Sequence, residues 1–137
     1  MSKQQQPGAV IGQPRRRVDG RAKVTGQTIF ADDIALPRML FAKLLRSHLP
    51  HARIVSIDTS KAAAAPGVQL VLTGADFPIA YGIMPVSQDE HALCRDKVRH
   101  VGDPVAAVIA ASEAQAHDAL GLIAVQYDPL PTIHSPQ

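Results

Sequence analysis

The sequence predicts an α+β fold, a mixed sheet built from two strand-helix-strand units with helices on one face. Three observations carry this expectation. Residues 105–111 are a short, uncharged run of small and β-branched side chains, the pattern of a central strand buried on both faces. Ser112-Glu-Ala-Gln115 follows at once as a capping-box helix start, and residues 123–127 read as the strand after that helix. The middle of the chain repeats the theme, with strands at residues 53–57 and 68–72 around a short alanine helix at residues 61–65. A βαβ crossover in such a unit is expected to be right-handed.

Taken in order, residues 1–14 are Gln, Pro and Gly with one apolar pair, Val10-Ile11, and predict a flexible arm ahead of a single domain over residues 15–137. Arg15-Arg16-Arg17 is too short a basic run to indicate nucleic acid and fits a partner or domain contact. Asp19 is placed to cap one helical turn through Lys23, which Gly26 ends. Residues 28–31 read as a short strand with Asp32 and Asp33 at its exit. Adjacent carboxylates on an extended chain point to opposite faces, so turn formation is favoured over a Mg²⁺ or Ca²⁺ site.

Residues 39–46 are apolar enough for helix or strand. Leu36-Pro37-Arg38 before them and Ser47-His48-Leu49-Pro50-His51 after them favour a strand. Residues 53–57 alternate apolar and polar as a second strand. Asp58-Thr59-Ser60 caps the helix at 61–65, Pro66-Gly67 stops it, and residues 74–77 form a turn. Residues 78–97, with Gly82, Pro85 and the polar run Ser87-Gln-Asp-Glu-His91, predict a long loop and the first choice for a contact surface. A turn at Gly102, Asp103 and Pro104 then feeds the central strand, and Asp128-Pro-Leu-Pro131 closes the last one.

Composition narrows the function. A chain of 137 residues, 46% hydrophobic and 19% charged, can bury a core without disulfides or metals. With aromatics at 4% and no Trp, a base-stacking surface for nucleic acid is not expected. The net charge of +2 hides an asymmetry: residues 1–53 hold ten Lys/Arg against three Asp/Glu, and residues 54–137 hold four against nine. The front half therefore suits an acidic neighbour. A single cysteine, Cys94, excludes an internal disulfide. The opening residues lack the apolar core of a signal peptide, and no run approaches the roughly 18 apolar residues of a membrane span, so a cytoplasmic location is expected.

No self-contained active site emerges from these residues. His91, Cys94 and His100 lie near one another in sequence, but zinc patterns need four ligands, usually with paired cysteines. Cys94 with either histidine could imitate a thiol and base, and Asp89 or Glu90 an acid or base, with nothing in the sequence to support the geometry. Ser112 lacks the Gly-x-Ser-x-Gly elbow, and its capping role explains it. The glycines do not form Gly-x-Gly-x-x-Gly. No catalytic, cofactor-binding or metal residue is therefore assigned.

The order of motifs is more specific. Arg17-x-Asp19-x-x-x-Lys23-Val-Thr-Gly26, Phe30-Ala-Asp-Asp33, Leu36-Pro37, Leu45-Arg46-Ser47-x-x-x-His51-Ala-x-Ile54, Ile57-Asp58 and Pro66-Gly67-Val68 resemble the opening α/β hammerhead domain of molybdenum hydroxylase large subunits, the family of xanthine dehydrogenase, aldehyde oxidase and carbon monoxide dehydrogenase. Lys97-Val98-x-x-Val101-Gly102-x-Pro104 and Val125-x-Tyr127-x-x-Leu130-Pro131 continue the likeness, which spans roughly residues 12–134. Gln88-Asp-Glu-His-Ala92 and residues 100–107 look closest, within the family, to 4-hydroxybenzoyl-CoA reductase. The resemblance implies a subunit carrying molybdopterin that works with an FAD subunit and a 2Fe-2S subunit. In the family the molybdenum-binding part, with its glutamate base, lies downstream of this region, so the resemblance places no cofactor ligand on these residues. The expected role is structural, packing against the molybdenum-binding domains and the partner subunits. A free-standing interaction module and a small hydrolase using Cys94 or Ser112 are the alternatives.

Overall fold

The computed structural model describes residues 11–133 and 135. The expectation for residues 1–10, most of the predicted arm, lies outside the described residues. The chain divides into two compact units, residues 1–36 and 37–137.

In the first unit one helical turn, α1 (Gly20–Val24), follows Asp19 as expected, but the Asp19 carboxylate makes no capping bond. It pairs with Lys23 Nζ at 2.7 Å and Arg17 at 3.1 Å, and these two cations hold its carboxyl below the usual carboxylate range. The strand expected at residues 28–31 does not form. Residues 28–30 are irregular, and Ala31–Asp33 is a single 3-10 turn. The Phe30 N–H donates to Asp33 Oδ2 at 2.9 Å, so a local side chain takes a backbone donor that a sheet would have used.

The second unit contains β1 (Phe41–Arg46), β2 (Ala52–Asp58), α2 (Ser60–Ala63), β3 (Val68–Thr73), β4 (Lys97–Val98), β5 (Pro104–Ala110), α3 (Glu113–Leu120) and β6 (Ala124–Pro129). The strands form two three-stranded sheets, ordered β1-β5-β3 and β4-β2-β6, and all the pairings are antiparallel. The fold is α+β, as expected, but the single mixed sheet is corrected to two antiparallel ones. With β1 on one edge of β5 and β3 on the other, β5 has no edge left for β6. Each strand-helix-strand unit therefore begins in one sheet and ends in the other: β2-α2-β3 leads from the second to the first, and β5-α3-β6 leads back. A right-handed crossover needs two parallel strands in one sheet, and neither unit supplies them.

Strand periodicity explains where the core lies. Ala106, Val108 and Ala110 of β5 share one face and pack with Ala62, Ala116, Ala119 and Ile123. Val105, on the opposite face, packs with Ala52, Cys94 and Val98. The central strand is thus buried on both sides, as its composition predicts, and burial of Val108 alone is worth about 2 kcal/mol. Alanines on both β5 and α3 let helix and strand approach closely.

The helix ends follow local chemistry. Ser112 Oγ accepts from the Gln115 N–H at 3.2 Å and starts α3 as predicted. Glu113 in its first turn pairs with Lys43 of β1, which holds its carboxyl below the usual range. Helix α2 begins at Ser60 and is shorter than the expected 61–65, with Asp58 Oδ1 accepting from the Ser60 N–H at 2.9 Å. Residues 74–77 make the expected turn, in which the Thr73 N–H donates to Asp76 Oδ2 at 2.7 Å. Two features were not anticipated. The two-residue strand β4 pairs Ala52 with Val98, and the loop at 78–97 contains a small hairpin in which Tyr81 faces Glu90 and Met84 faces Ser87.

Candidate functional site

Three of the sequence motifs that lie far apart in the chain meet where β1 ends and β5 begins. The β1–β5 register slips after Leu45, and the chain beyond it is tied back by backbone bonds. The Ser47 N–H donates to Asp103 O and the Gly102 N–H to Ser47 O, each at 2.8 Å. Arg46 Nη1 donates to Gly102 O at 2.8 Å. Gly102 has φ of +93°, a left-handed turn conformation that a side chain would strain. Buried Ser47 closes its own loop: its Oγ donates to Leu49 O at 2.9 Å and accepts from the Leu49 N–H at 3.0 Å. His51 binds the C-terminal motif, with Nδ1 2.7 Å from Pro131 O and its carbonyl accepting from the Leu130 N–H at 2.9 Å.

Asp103 is the hub of the turn. Its Oδ2 accepts from the Arg99 N–H at 2.6 Å, and its Oδ1 lies 3.1 Å from His100 Nε2. The other ring nitrogen of His100 is 3.0 Å from Val101 O, so both nitrogens face oxygen acceptors. Cys94 lies against the same carboxylate, and its N–H donates to Pro104 O at 2.7 Å. Burial, with Asp103 adding to it, pushes the Cys94 thiol up to about 12. At neutral pH it is a protonated core group and not a nucleophile.

Beside this turn is a cavity of about 370 Å³, lined among others by Tyr81, Glu90, His91, Cys94, Arg99 and His100. The structure thus brings together His91, Cys94 and His100, which the sequence only placed near one another. Among the described residues, no group of three or more His, Cys, Asp or Glu side chains is arranged to hold a metal ion. His91 Nδ1 is buried without a hydrogen-bond partner. Asp89 is engaged locally by Ser87 Oγ at 2.9 Å. Ser112 is occupied as the α3 cap, and Asp33 closes its own turn.

Residues 25–131 match the family model described as aldehyde oxidase and xanthine dehydrogenase, a/b hammerhead domain. The chain belongs to that family. The hammerhead domain is 46% identical over 129 residues to a probable xanthine dehydrogenase subunit of Bacillus subtilis, covering 93% of this chain and 17% of the relative. It is 41% identical over 121 residues to the nicotinate dehydrogenase large molybdopterin subunit of Eubacterium barkeri, covering 88% and 28%. Among solved structures, reconstituted CO dehydrogenase from Oligotropha carboxidovorans superposes with a TM-score of 0.80 at 39% identity, over 90% of this chain and 16% of that one. The hammerhead domain therefore spans about one sixth of the length of several larger relatives.

The family implies a molybdopterin, and the residues of this cavity do not fit one. Asp89, Glu90 and Asp103 line it against the single guanidinium of Arg99, and carboxylates so placed repel an anionic pterin phosphate. One cysteine cannot supply the four thiolates of a 2Fe-2S cluster. Arg46, Ser47, His51 and Gly102, which belong to the motifs quoted above, are tied to one another and to the backbone of distant segments. Among the described residues, no helix is long and apolar enough to cross a membrane.

Proposed function

We propose that this chain is the amino-terminal structural domain of the large subunit of a molybdopterin-dependent oxidoreductase, with a single hammerhead domain over residues 15–137. Its task is to hold a shaped scaffold against the molybdenum-binding domains of the same subunit and against FAD and 2Fe-2S partner subunits in the cytoplasm. It has no catalytic, cofactor or metal residue of its own, and it binds no nucleic acid. The observation that carries this reading is that the motif side chains Arg46, Ser47 and His51 are engaged in internal ties to Gly102, Leu49 and Pro131, while Cys94 is buried. Exposed aliphatic side chains such as Val55, Ile79, Ile83 and Val86 are consistent with surfaces made for neighbours.

The test is to assay the 137 residues with a dye acceptor against purine, aldehyde and aryl-CoA substrates, with and without the polypeptide bearing the molybdenum site. Turnover is expected only with that polypeptide, and turnover by the 137 residues alone overturns the reading. Within the family, the likeness of Gln88–Ala92 and of residues 100–107 supports an enzyme of the 4-hydroxybenzoyl-CoA reductase type. Reductive removal of the phenolic hydroxyl from that thioester by the complete enzyme is the corresponding assay. The same exposed side chains would serve a free-standing interaction module, and a gene neighbourhood without molybdenum-binding domains would favour it.

A further inference from the structure

The loop at residues 78–97 carries a hairpin whose backbone is pinned while its side chains are left in solvent. Tyr81 and Glu90 exchange two backbone bonds, at 2.9 and 3.0 Å, and the Ser87 N–H donates to Met84 O at 3.0 Å across a turn with Pro85 at its second position. Gly82 fits only without a side chain, since a Cβ there would sit 2.1 Å from Ser87 O. Arg95 reaches back to Pro78 O at 3.4 Å and anchors the base. This is an ordered projection, yet Ile79, Ile83, Met84 and Val86 are 83%, 98%, 61% and 91% exposed. Residues 77–88 hold no charged side chain.

We infer that this hairpin is a docking element whose tip inserts into an uncharged aliphatic recess of the molybdopterin-bearing polypeptide of the same enzyme, an inference that rests on the function proposed above. An uncharged tip has nothing to offer a phosphate or an acidic partner, which excludes nucleic acid and the charged surfaces that suit the basic front half of the chain. Size decides between the apolar occupants. Four aliphatic side chains cover much less than the roughly 800 Å² per partner of a stable free interface, so the tip cannot by itself hold a second copy of this chain. It can hold a neighbour that other contacts already keep close, because a small contact gains from high effective concentration. The family relatives provide that setting, since the fold is 16% of a solved CO dehydrogenase chain.

The experiment places a photo-crosslinking residue at Ile83 or Val86 in the complete enzyme, with Lys61 on α2 as the control position. Crosslinks from positions 83 and 86, and not from 61, to the polypeptide bearing the molybdenum site are the expected result. Crosslinks to residues 77–91 of a second copy, to another subunit or to lipid, or no crosslink at all, overturn the inference. As a second arm, Val86→Asp in the complete enzyme is expected to speed amide exchange over residues 79–90 by about tenfold, while unchanged exchange argues against docking. The molybdenum and pterin content of the same preparation reports the underlying functional reading separately. A preparation that is loaded but does not crosslink refutes the docking alone.

Discussion

Replacing Asp103 by alanine tests whether the turn before β5 is held by its carboxylate. The change removes the acceptor of the Arg99 N–H, a charge-assisted bond of 2.6 Å, and the support of His100 Nε2 at 3.1 Å. The carboxylate side chain is only 13% exposed, so water compensates little. A hydrogen bond to a charged group is worth about 1.5–3 kcal/mol, and the pairing with exposed His100 adds at most about 1 kcal/mol. The expected loss is about 2–4 kcal/mol. For a domain of this length, at about 4 °C per kcal/mol, the thermal midpoint falls by about 8–16 °C. Far-UV circular dichroism of the 137-residue chain reads it. Asp103→Ala also removes the negative charge beside Cys94, so the thiol reacts faster with a disulfide reagent at pH 8. A midpoint within about 2 °C of wild type, together with an unchanged thiol rate, would refute the idea that this carboxylate organises the turn.

Four further outcomes follow from the same structure. Val108→Ala removes two methyl groups from a fully buried site and is expected to lower stability by about 2–3 kcal/mol in urea unfolding with an unchanged slope. Ser112→Ala deletes the acceptor of the Gln115 N–H and costs about 1 kcal/mol, read by the same titration. The Cys94 thiol, raised from 9.0 to about 12 in the folded state, favours folding fully below pH 9, and that contribution is lost as pH rises from about 9 to about 12. Stability should therefore decline over that window, and Cys94→Ala should flatten the decline; equal slopes in the two proteins would contradict the burial of the thiol. Glu113 is held low by Lys43, so Lys43→Ala should move its carboxyl titration upward towards the ordinary range when followed by NMR, and no movement would dismiss the β1–α3 pairing.

The central strand was legible because Val105 and Val108 are both apolar and lie on opposite faces, which only a doubly buried strand explains. The start of α3 was legible because Ser112 and Gln115 satisfy each other over three residues. The strand read at residues 28–31 failed because a bond from the Phe30 N–H to Asp33 outcompeted pairing, and propensity does not register that local competition. Strand β4 is two residues long and leaves no periodicity to read. The cavity could not be foreseen from sequence, since His91 and His100 come to line it together only through the turn that Asp103 holds before β5.

Sequence by itself determined the strands and helices of the second unit apart from β4, the double burial of the run at residues 105–111, and which family motifs are present. Each of these depends on neighbours within a few positions, through side-chain alternation, capping and turn chemistry. Tertiary structure alone decided that the strands divide into two antiparallel sheets, because β5 is paired on both edges and an edge once occupied is closed to β6. It also decided that Arg46, Ser47 and His51 are ties between distant segments, since their partners Gly102, Asp103 and Pro131 lie more than fifty residues away along the chain.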